Sequence, residues 1–427
     1  MPEAIARLFN GANIDKRVYT DPLLFEQEQE RIFAKAWHYV GHVSQLGEAG
    51  RYVNVEVQGQ PILVMRGGDG TIRAFFNRCP HRGALLTRHP CGQAEQLVCS
   101  YHAWSFDTCG QLRGLPMSAG YEGTPVQVGD ARWGLAGVPR LDEYAGFLFV
   151  NLDAQAPALL DWLGPNAGNL MNMQERSPSG LIEPFGGVFR MTQRNNWKVY
   201  LENLHDGAHA LPTHQSSILS ARQTSASTQD PWSQLQADIV SANGQPPRKM
   251  AALSVNCFER GHSEMFGFRE SRPDTPEQRE YEAALRDFHG AEKAQDILRT
   301  DRHIALFYPN LSITPNWMQL RVIVPLSVER TRVDIYSFRL IGASDAINRR
   351  TIAFANAVNS PTSLIRADDL ENFERIEAGL KAQAPQYVSA HREYSKETQP
   401  LGASHAMSER YVRNQFHAWR TYMEHVQ

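Results

Sequence analysis

Cysteine is scarce in this chain and long apolar runs are missing. Five cysteines in 427 residues do not make a disulfide scaffold, and in a reducing compartment such thiols more often hold metal or do chemistry than cross-link. No apolar run approaches the roughly 18 residues of a spanning helix, and the opening MPEAIARLFNGANIDKR has no apolar block of the signal-peptide kind. The expectation is a cytoplasmic protein outside the membrane. Neither sign of charge dominates: 43 basic against 46 acidic side chains, a net charge of -3, leave no basic field to attract a nucleic acid. There is no internal repeat, no low-complexity tract and no phosphate-cradling G-x-G-x-x-G or G-x-x-x-x-G-K-[ST] in its required context, so the chain is not expected to bind NADH itself.

What is present is an ordinary globular composition, 42% apolar and 21% charged, long enough for two or three domains. Up to residue 39 the apolar positions Leu24, Phe25, Ile32, Phe33 and Ala36 recur at roughly helical spacing. From Arg51 the period becomes two: Val53, Val55 and Val57 alternate with Asn54, Glu56 and Gln58, PILVM follows, and GGDG turns the chain into TIRAFF. Short strands continue to about residue 153, and DAQAPALLDWLGPNAG then marks a boundary. The expected division is 1–39, 40–155 and 156–427. In the last part, strand-like runs (GGVFRMTQ, MAALSVNCF, HIALFYP, MQLRVIVPL, TRVDIYSFRL) alternate with helical ones (NWKVYLENLHDGAHA, EQREYEAALRDF, DLENFERIEAGL). That mixture predicts an α+β domain whose antiparallel sheet is wrapped by helices. The charged stretch RESRPDTPEQREYEAALRDFHGAEKAQ reads as a solvated excursion.

Two constellations carry chemistry. Cys79-Pro80-His81 and Cys99-Ser100-Tyr101-His102 supply two thiolates and two imidazoles, a set that suits either a tetrahedral zinc ion or a [2Fe-2S] cluster with histidines on one iron. The C-x-H entry is unlike common zinc modules, and the gap between the pairs favours the cluster. Cys91, Cys109 and Cys257 read as small packing residues. Further along, Trp197, Tyr200, Leu201 and Leu204 make an apolar helical face, with Glu202, Asp206 and His209 opposite. His214 lies five residues beyond His209, and Pro212 is expected to break the ladder between them. Two histidines and a carboxylate make the facial triad of non-haem Fe(II); Asp206 is the nearest carboxylate, as a ligand or as a group that orients one.

CPHRGALL with CSYHAWSFD, and DGAHALPTH with DDLEN, resemble the motifs of ring-hydroxylating oxygenase large (alpha) subunits of the Rieske type, over roughly residues 20 to 380. The resemblance implies Cys79 and Cys99 on one cluster iron and His81 and His102 on the other, with Ala103 where many members have glycine. It implies His209, His214 and Asp369 on a mononuclear iron, Asp206 as a bridge from His209 to His102 across a subunit boundary, and Asn203 lining the iron pocket. Asp368 with Glu371 also reads as a capping box opening the helix that buries Phe373, Ile376 and Leu380. The fold implied is an all-β Rieske [2Fe-2S] domain inserted in a helix-grip antiparallel-sheet catalytic domain.

The function implied is the terminal oxygenase of a multicomponent system. It spends O2 and electrons from NAD(P)H, delivered by a separate reductase and a ferredoxin, on hydroxylating an aromatic substrate in aromatic catabolism, with an aromatic acid preferred. A trimer of large subunits with a small beta subunit is implied as well. Pocket candidates are Ser217, Ile218, Leu219, Leu253 to Phe258, Phe307, Tyr308 and the stretch ending at Ile365, with Arg222 and Arg366 as candidate carboxylate holders. Two other readings use the same residues: a Rieske monooxygenase or N- or O-demethylase, and, in another class, a zinc-stabilised binding or regulatory protein.

Overall fold

The computed structural model describes residues 5–268, 272, 274–397 and 399–424. The chain forms two compact units: Ala34–Trp162, and Met1–Phe33 together with Leu163–Gln427.

The first unit is built of short antiparallel strands in sheets of four, three and three strands. The strand Gln60–Arg66 lies between Arg51–Val57 and Ile72–Phe76. Buried on both faces, it sends alternate residues to different cores, as period-two geometry requires. Ile62 and Val64 pack with Val40, Val53 and Val150. Leu63 and Met65 pack with Phe75, Cys79, Cys99, Trp104 and Phe106, so the second of these clusters carries both motif cysteines.

The second unit centres on an eight-stranded antiparallel sheet. Its spatial order is Ile182–Gln193, Arg330–Leu340, Gln319–Ser327, Leu311–Thr314, Thr300–Phe307, Ser263–Phe268, Ser254–Cys257 and Gly402–His405. This is a meander run backwards along the chain, closed at one edge by the earliest strand and at the other by the last. Helices Trp197–Leu204, Gly207–Thr228 and Leu364–Leu380 carry the second constellation. Trp197 Nε1 and Lys198 Nζ both donate to the buried Glu28, at 2.8 and 2.6 Å, tying the first of these helices to Pro22–Arg31. Among the described residues no helix is long and apolar enough to cross a membrane.

Three expectations need correction. The chain up to residue 39 is not one helical run: Phe9–Asn10 and Asn13–Asp15 pair antiparallel, and the latter also pairs with Tyr387–Ser389. The reversal occurs at Gly11, whose φ of +66° only glycine adopts freely. Of the positions read as helical only Leu24 and Phe25 lie in a helix, Pro22–Arg31, which starts where Asp21 caps Leu23 N and Pro22 presets φ, while Phe33 sits in a separate short turn, Phe33–Lys35. Nor is the charged stretch near residue 280 wholly solvated. Residues 269–271 and 273 lie outside the described residues, but Pro276–His289 and Ala291–Arg299 bury Tyr281, Leu285, Ala294 and Ile297, because each is amphipathic. Lastly, Cys91 is exposed, whereas Cys257 is buried and its thiol is pushed up to about 12 by burial.

Candidate metal centres

The first constellation is held by two loops with the same backbone plan. Cys79 N donates to Ala84 O (2.8 Å) and Gly83 N to Cys79 O (3.0 Å); Cys99 N donates to Trp104 O (2.8 Å) and Ala103 N to Cys99 O (3.0 Å). Each loop closes four residues after its cysteine on a left-handed residue, Gly83 at φ +77° and Ala103 at φ +54°. An L-residue pays for that conformation and glycine does not.

The side chains are arranged for a shared group. Cys79 and Cys99 are free thiols, 1% and 3% exposed. Burial raises the Cys79 thiol, and the adjacent Cys99 raises it further, against the backbone N–H of His81. The rings of His81 and His102 stand 4.6 Å apart, and His81 stacks on Trp104 at 4.8 Å with 1° between planes. Nδ1 of both histidines is buried without a hydrogen-bond partner. Two buried, orphaned imidazole nitrogens are costly as they stand, and a metal group that accepts their lone pairs removes that cost. Burial, then the charges of His102 and Arg82, keep His81 below its ordinary value, hence neutral and able to ligate.

The second constellation forms where two helices meet. The helix Trp197–Leu204 ends at His205, and a new one begins at Gly207 with Asp206 as its cap, accepting from Ala208 N at 2.9 Å. Pro212 does not break the ladder as expected: Gly207–Thr228 runs through it. The break falls instead at the Asp206 cap, and Pro212 costs the helix a single internal donor. Glu202 therefore does not share a face with Asp206. It accepts from Tyr19 Oη at 2.8 Å, and burial pushes its carboxyl up to about 7. His205 turns into the sheet, with Nδ1 3.0 Å from Ser263 Oγ.

His209 and His214 project from the new helix with ring centroids 5.7 Å apart. Facing them is Asp369. Its Oδ1 lies 3.7 Å from His209 Nε2 and 3.5 Å from His214 Nε2, and the three ligand atoms all fall within 4.8 Å of one another. The other nitrogen of each imidazole faces a second carboxylate: His209 Nδ1 is 3.5 Å from Asp206 Oδ2, and His214 Nδ1 is 3.2 Å from Asp368 Oδ2. That is how a protein fixes the tautomer and aim of metal-binding histidines. Ser217 Oγ donates to Asp368 at 2.8 Å and Arg392 Nη2 to Asp206 at 2.9 Å, holding both supports in place. Asn203 Nδ2 is 3.0 Å from His209 Nε2 and 3.3 Å from Asp369 Oδ1. For His209, burial depresses the imidazole but Asp206 and Asp369 more than offset it; for His214, burial prevails over the neighbouring carboxylates. The donor set suits a divalent ion with open positions.

The capping-box reading of Asp368 and Glu371 does not hold. The helix starts a turn earlier, at Leu364, where Ser363 accepts from Arg366 N, so both aspartates are interior. Among the pocket candidates, Ile218 and Ile365 share an apolar cluster, Leu219 is exposed, and Tyr308 packs in the main core. Arg222 is exposed and donates to Ser241; Arg366 is buried beside Asp369. Sequence reasoning missed Asp368 and Arg392 as supports, and Arg321. The signal for the last was a lone charge inside the apolar strand MQLRVIVPL. A cavity of about 500 Å³ is lined by Leu235, Ile239, Trp317 and Arg350 among others and by no residue of the triad.

Comparison with known proteins agrees with this chemistry. The Rieske [2Fe-2S] domain family matches residues 36–128, and the ring hydroxylating alpha subunit (catalytic domain) family matches residues 187–425. The chain is 31% identical to the toluate 1,2-dioxygenase alpha subunit of Pseudomonas putida, over 86% of this chain and 78% of that one. It is 30% identical to the anthranilate 1,2-dioxygenase large subunit of Acinetobacter baylyi, over 90% and 81%. The solved structure of naphthalene 1,2-dioxygenase with indole in its active site shares the fold, with a TM-score of 0.79 at 24% identity, covering 97% of this chain and 92% of that one. A zinc-stabilised regulatory protein is thereby set aside. The chain belongs to the ring-hydroxylating oxygenase alpha subunits, enzymes that join a Rieske [2Fe-2S] cluster and a mononuclear iron to use O2.

Proposed function

We propose that this chain is the terminal oxygenase of a multicomponent system in the cytoplasm, and that its substrate is an aromatic acid. In this reading Cys79, His81, Cys99 and His102 hold the cluster, and His209, His214 and Asp369 hold the mononuclear iron, the domain carrying the cluster being residues 40–155. When bound, the cluster supplies electrons singly and the mononuclear iron supplies the place where dioxygen is activated. Electrons come from NAD(P)H through a separate reductase and a ferredoxin. The assembly is a trimer of these chains with small beta subunits.

The observation that carries the reading is the convergence of both Nε2 atoms on one oxygen of Asp369, at 3.7 and 3.5 Å, with a carboxylate behind each ring. The protein's own work is then positional. Asp368 and Asp206 fix the two rings, and Asp206 is the bridging carboxylate toward His102 of the partner subunit. Burial raises the Asp206 carboxyl, but the His209 contact and then the charge of Arg392 more than offset it and keep it below the ordinary range, so it remains an acceptor. Asn203, the amide nearest both Asp369 and His209, lines the open side. Support for an acid substrate comes from relatives named for toluate and anthranilate.

The test is oxygen uptake by purified, brown protein with a surrogate reductase, across aromatic acids and neutral arenes, with a low-average-g electron resonance signal on reduction. Colourless protein containing stoichiometric zinc would overturn the reading. Labelled O2 entering the product as one atom rather than two would make the enzyme a monooxygenase.

A further inference from the structure

The catalytic unit buries two guanidinium groups side by side. Arg321, in the strand Gln319–Ser327, is 3% exposed, and Arg366, in the helix Leu364–Leu380, is 4% exposed. Both reach one oxygen, Asn359 Oδ1: Arg321 Nε at 3.4 Å, Arg321 Nη2 at 3.3 Å and Arg366 Nη2 at 3.5 Å. Arg321 Nη1 donates to Thr314 Oγ1 at 2.7 Å, and the Arg366 guanidinium lies over the Tyr200 ring at 5.4 Å. Asn359 ends a π-helical turn, Ala355–Asn359, a backbone form found often at functional sites.

Donors and charges are only partly satisfied here. Nε and Nη1 of Arg366 and Nδ2 of Asn359 are buried without hydrogen-bond partners, as is Oγ of Ser312, which pairs directly across from Arg321 in the sheet. Among the described residues no carboxylate stands within ion-pair distance of Arg321. Arg366 has only Asp369, with Nη1 to Oδ2 at 3.6 Å, and Asp369 is the carboxylate that faces His209 and His214. Of the two buried cations one thus has no anion at ion-pair distance among the described residues and the other has only the carboxylate that the metal also claims, an arrangement too costly for packing alone. Burial, with the charge of Arg366 adding to it, lowers the Arg321 guanidinium although Tyr200 opposes the shift.

We propose that Arg321, Arg366 and Asn359 form a subsite for the carboxylate of an aromatic monocarboxylic acid, beside the metal triad. This rests on the oxygenase reading and deepens it. Planar guanidiniums with free N–H groups match a carboxylate edge-on, and the amide of Asn359 supplies one more donor. The apolar neighbours suit the ring: Ala357, Val358 and Ile365, adjoining Asn359 and Arg366 in sequence, pack in a cluster with Ile218 and Phe354. Because Arg366 sits one turn from Asp369, a carboxylate held there keeps the ring carbons that bear and adjoin it nearest the triad.

Equilibrium binding to the iron-loaded protein tests this, with benzoate, its uncharged isostere benzamide, and toluene as probes. Wild type should bind benzoate at least about tenfold tighter than benzamide, and Arg321→Gln should weaken benzoate binding about 10- to 100-fold while leaving benzamide nearly unchanged. Equal affinity of wild type for benzoate and benzamide overturns the subsite, as does an Arg321→Gln protein of native circular dichroism that loses both probes equally. Should the variant fail to fold, the wild-type comparison decides alone. Oxygen uptake on the same probes separates the two claims: uptake with toluene but no preference for benzoate overturns the subsite and leaves the oxygenase reading. Arginine-dependent benzoate binding with no uptake on any arene does the reverse.

Discussion

Oδ2 of Asp206 lies 3.5 Å from Nδ1 of His209, on the side of the ring away from Asp369. Asp206 caps the helix that carries His209 and accepts from Arg392 with its other oxygen, so one side chain sets the start of the helix and the aim of the ring. Asp206→Ala should leave the cluster spectrum nearly intact yet lower turnover at least about 10- to 100-fold. Visible absorption and oxygen uptake on one preparation check this. Near-normal turnover would show that the ring needs no such support.

Asp369 and Asp368 are neighbours with different tasks, and substitution should separate them. Asp369→Ala removes the carboxylate that faces both Nε2 atoms, and is expected to cost the protein its mononuclear iron while the cluster irons stay. Asp368→Ala removes the acceptor behind His214 and the partner of Ser217, weakening iron retention about 10- to 100-fold. Iron analysis after dialysis against a chelator ranks the two; equal retention in both would contradict the assignment.

Elements with a strong period were legible from sequence. Val53, Val55 and Val57 did mark a strand, and the run TRVDIYSFRL became Arg330–Leu340. The two Cys-His loops were legible as a matched pair because they are local, each closing within five residues on its own hydrogen bonds. What was not legible depends on tertiary contact. Propensity placed the helix break at Pro212, but Gly207 N finds Ala406 O and Asp206 caps the turn, so the break moved upstream and the proline was absorbed. Asp368 looked like a cap because nothing local reveals that Ser363 takes that role. Arg321 stood in plain view as a charge in an apolar strand, but its partners Thr314 and Asn359 come from elsewhere in the chain.

Ala103 occupies a left-handed conformation at φ +54°, the position matched by Gly83 in the companion loop. An L-residue there costs about 1–2 kcal/mol, partly offset by its smaller loss of unfolded-state freedom relative to glycine. Ala103→Gly should therefore stabilise the cluster-bearing unit by about 0.5–1 kcal/mol, and the β-branched Ala103→Val should destabilise it and reduce cluster incorporation. Denaturant titration followed at the cluster absorbance measures both. A more stable valine variant would mean that the loop does not hold this conformation.

Acid sensitivity should come in part from two buried neutral histidines. His42, 4% exposed, is lowered to about 4 by burial, against a backbone hydrogen bond from its ring to Ala145. His205, fully buried, is likewise lowered to about 4 by burial, against a bond to Ile304. In the unfolded chain each titrates near 6.5. Between those values the unfolded state binds the extra proton and the folded state does not, so the contribution is fully present above about pH 6.5 and is lost as pH falls toward 4. Each histidine then removes about 3 kcal/mol over that window. Thermal midpoints measured from pH 7 to 4 should fall for wild type and fall less steeply for His42→Asn and for His205→Asn, each variant relieving its own unit. Asparagine at position 42 keeps a side-chain acceptor for Ser44 N, which now bonds to His42 Nδ1 at 3.3 Å, so the cap survives while the titration is removed. Parallel curves for all three proteins would show that neither imidazole resists protonation in the fold.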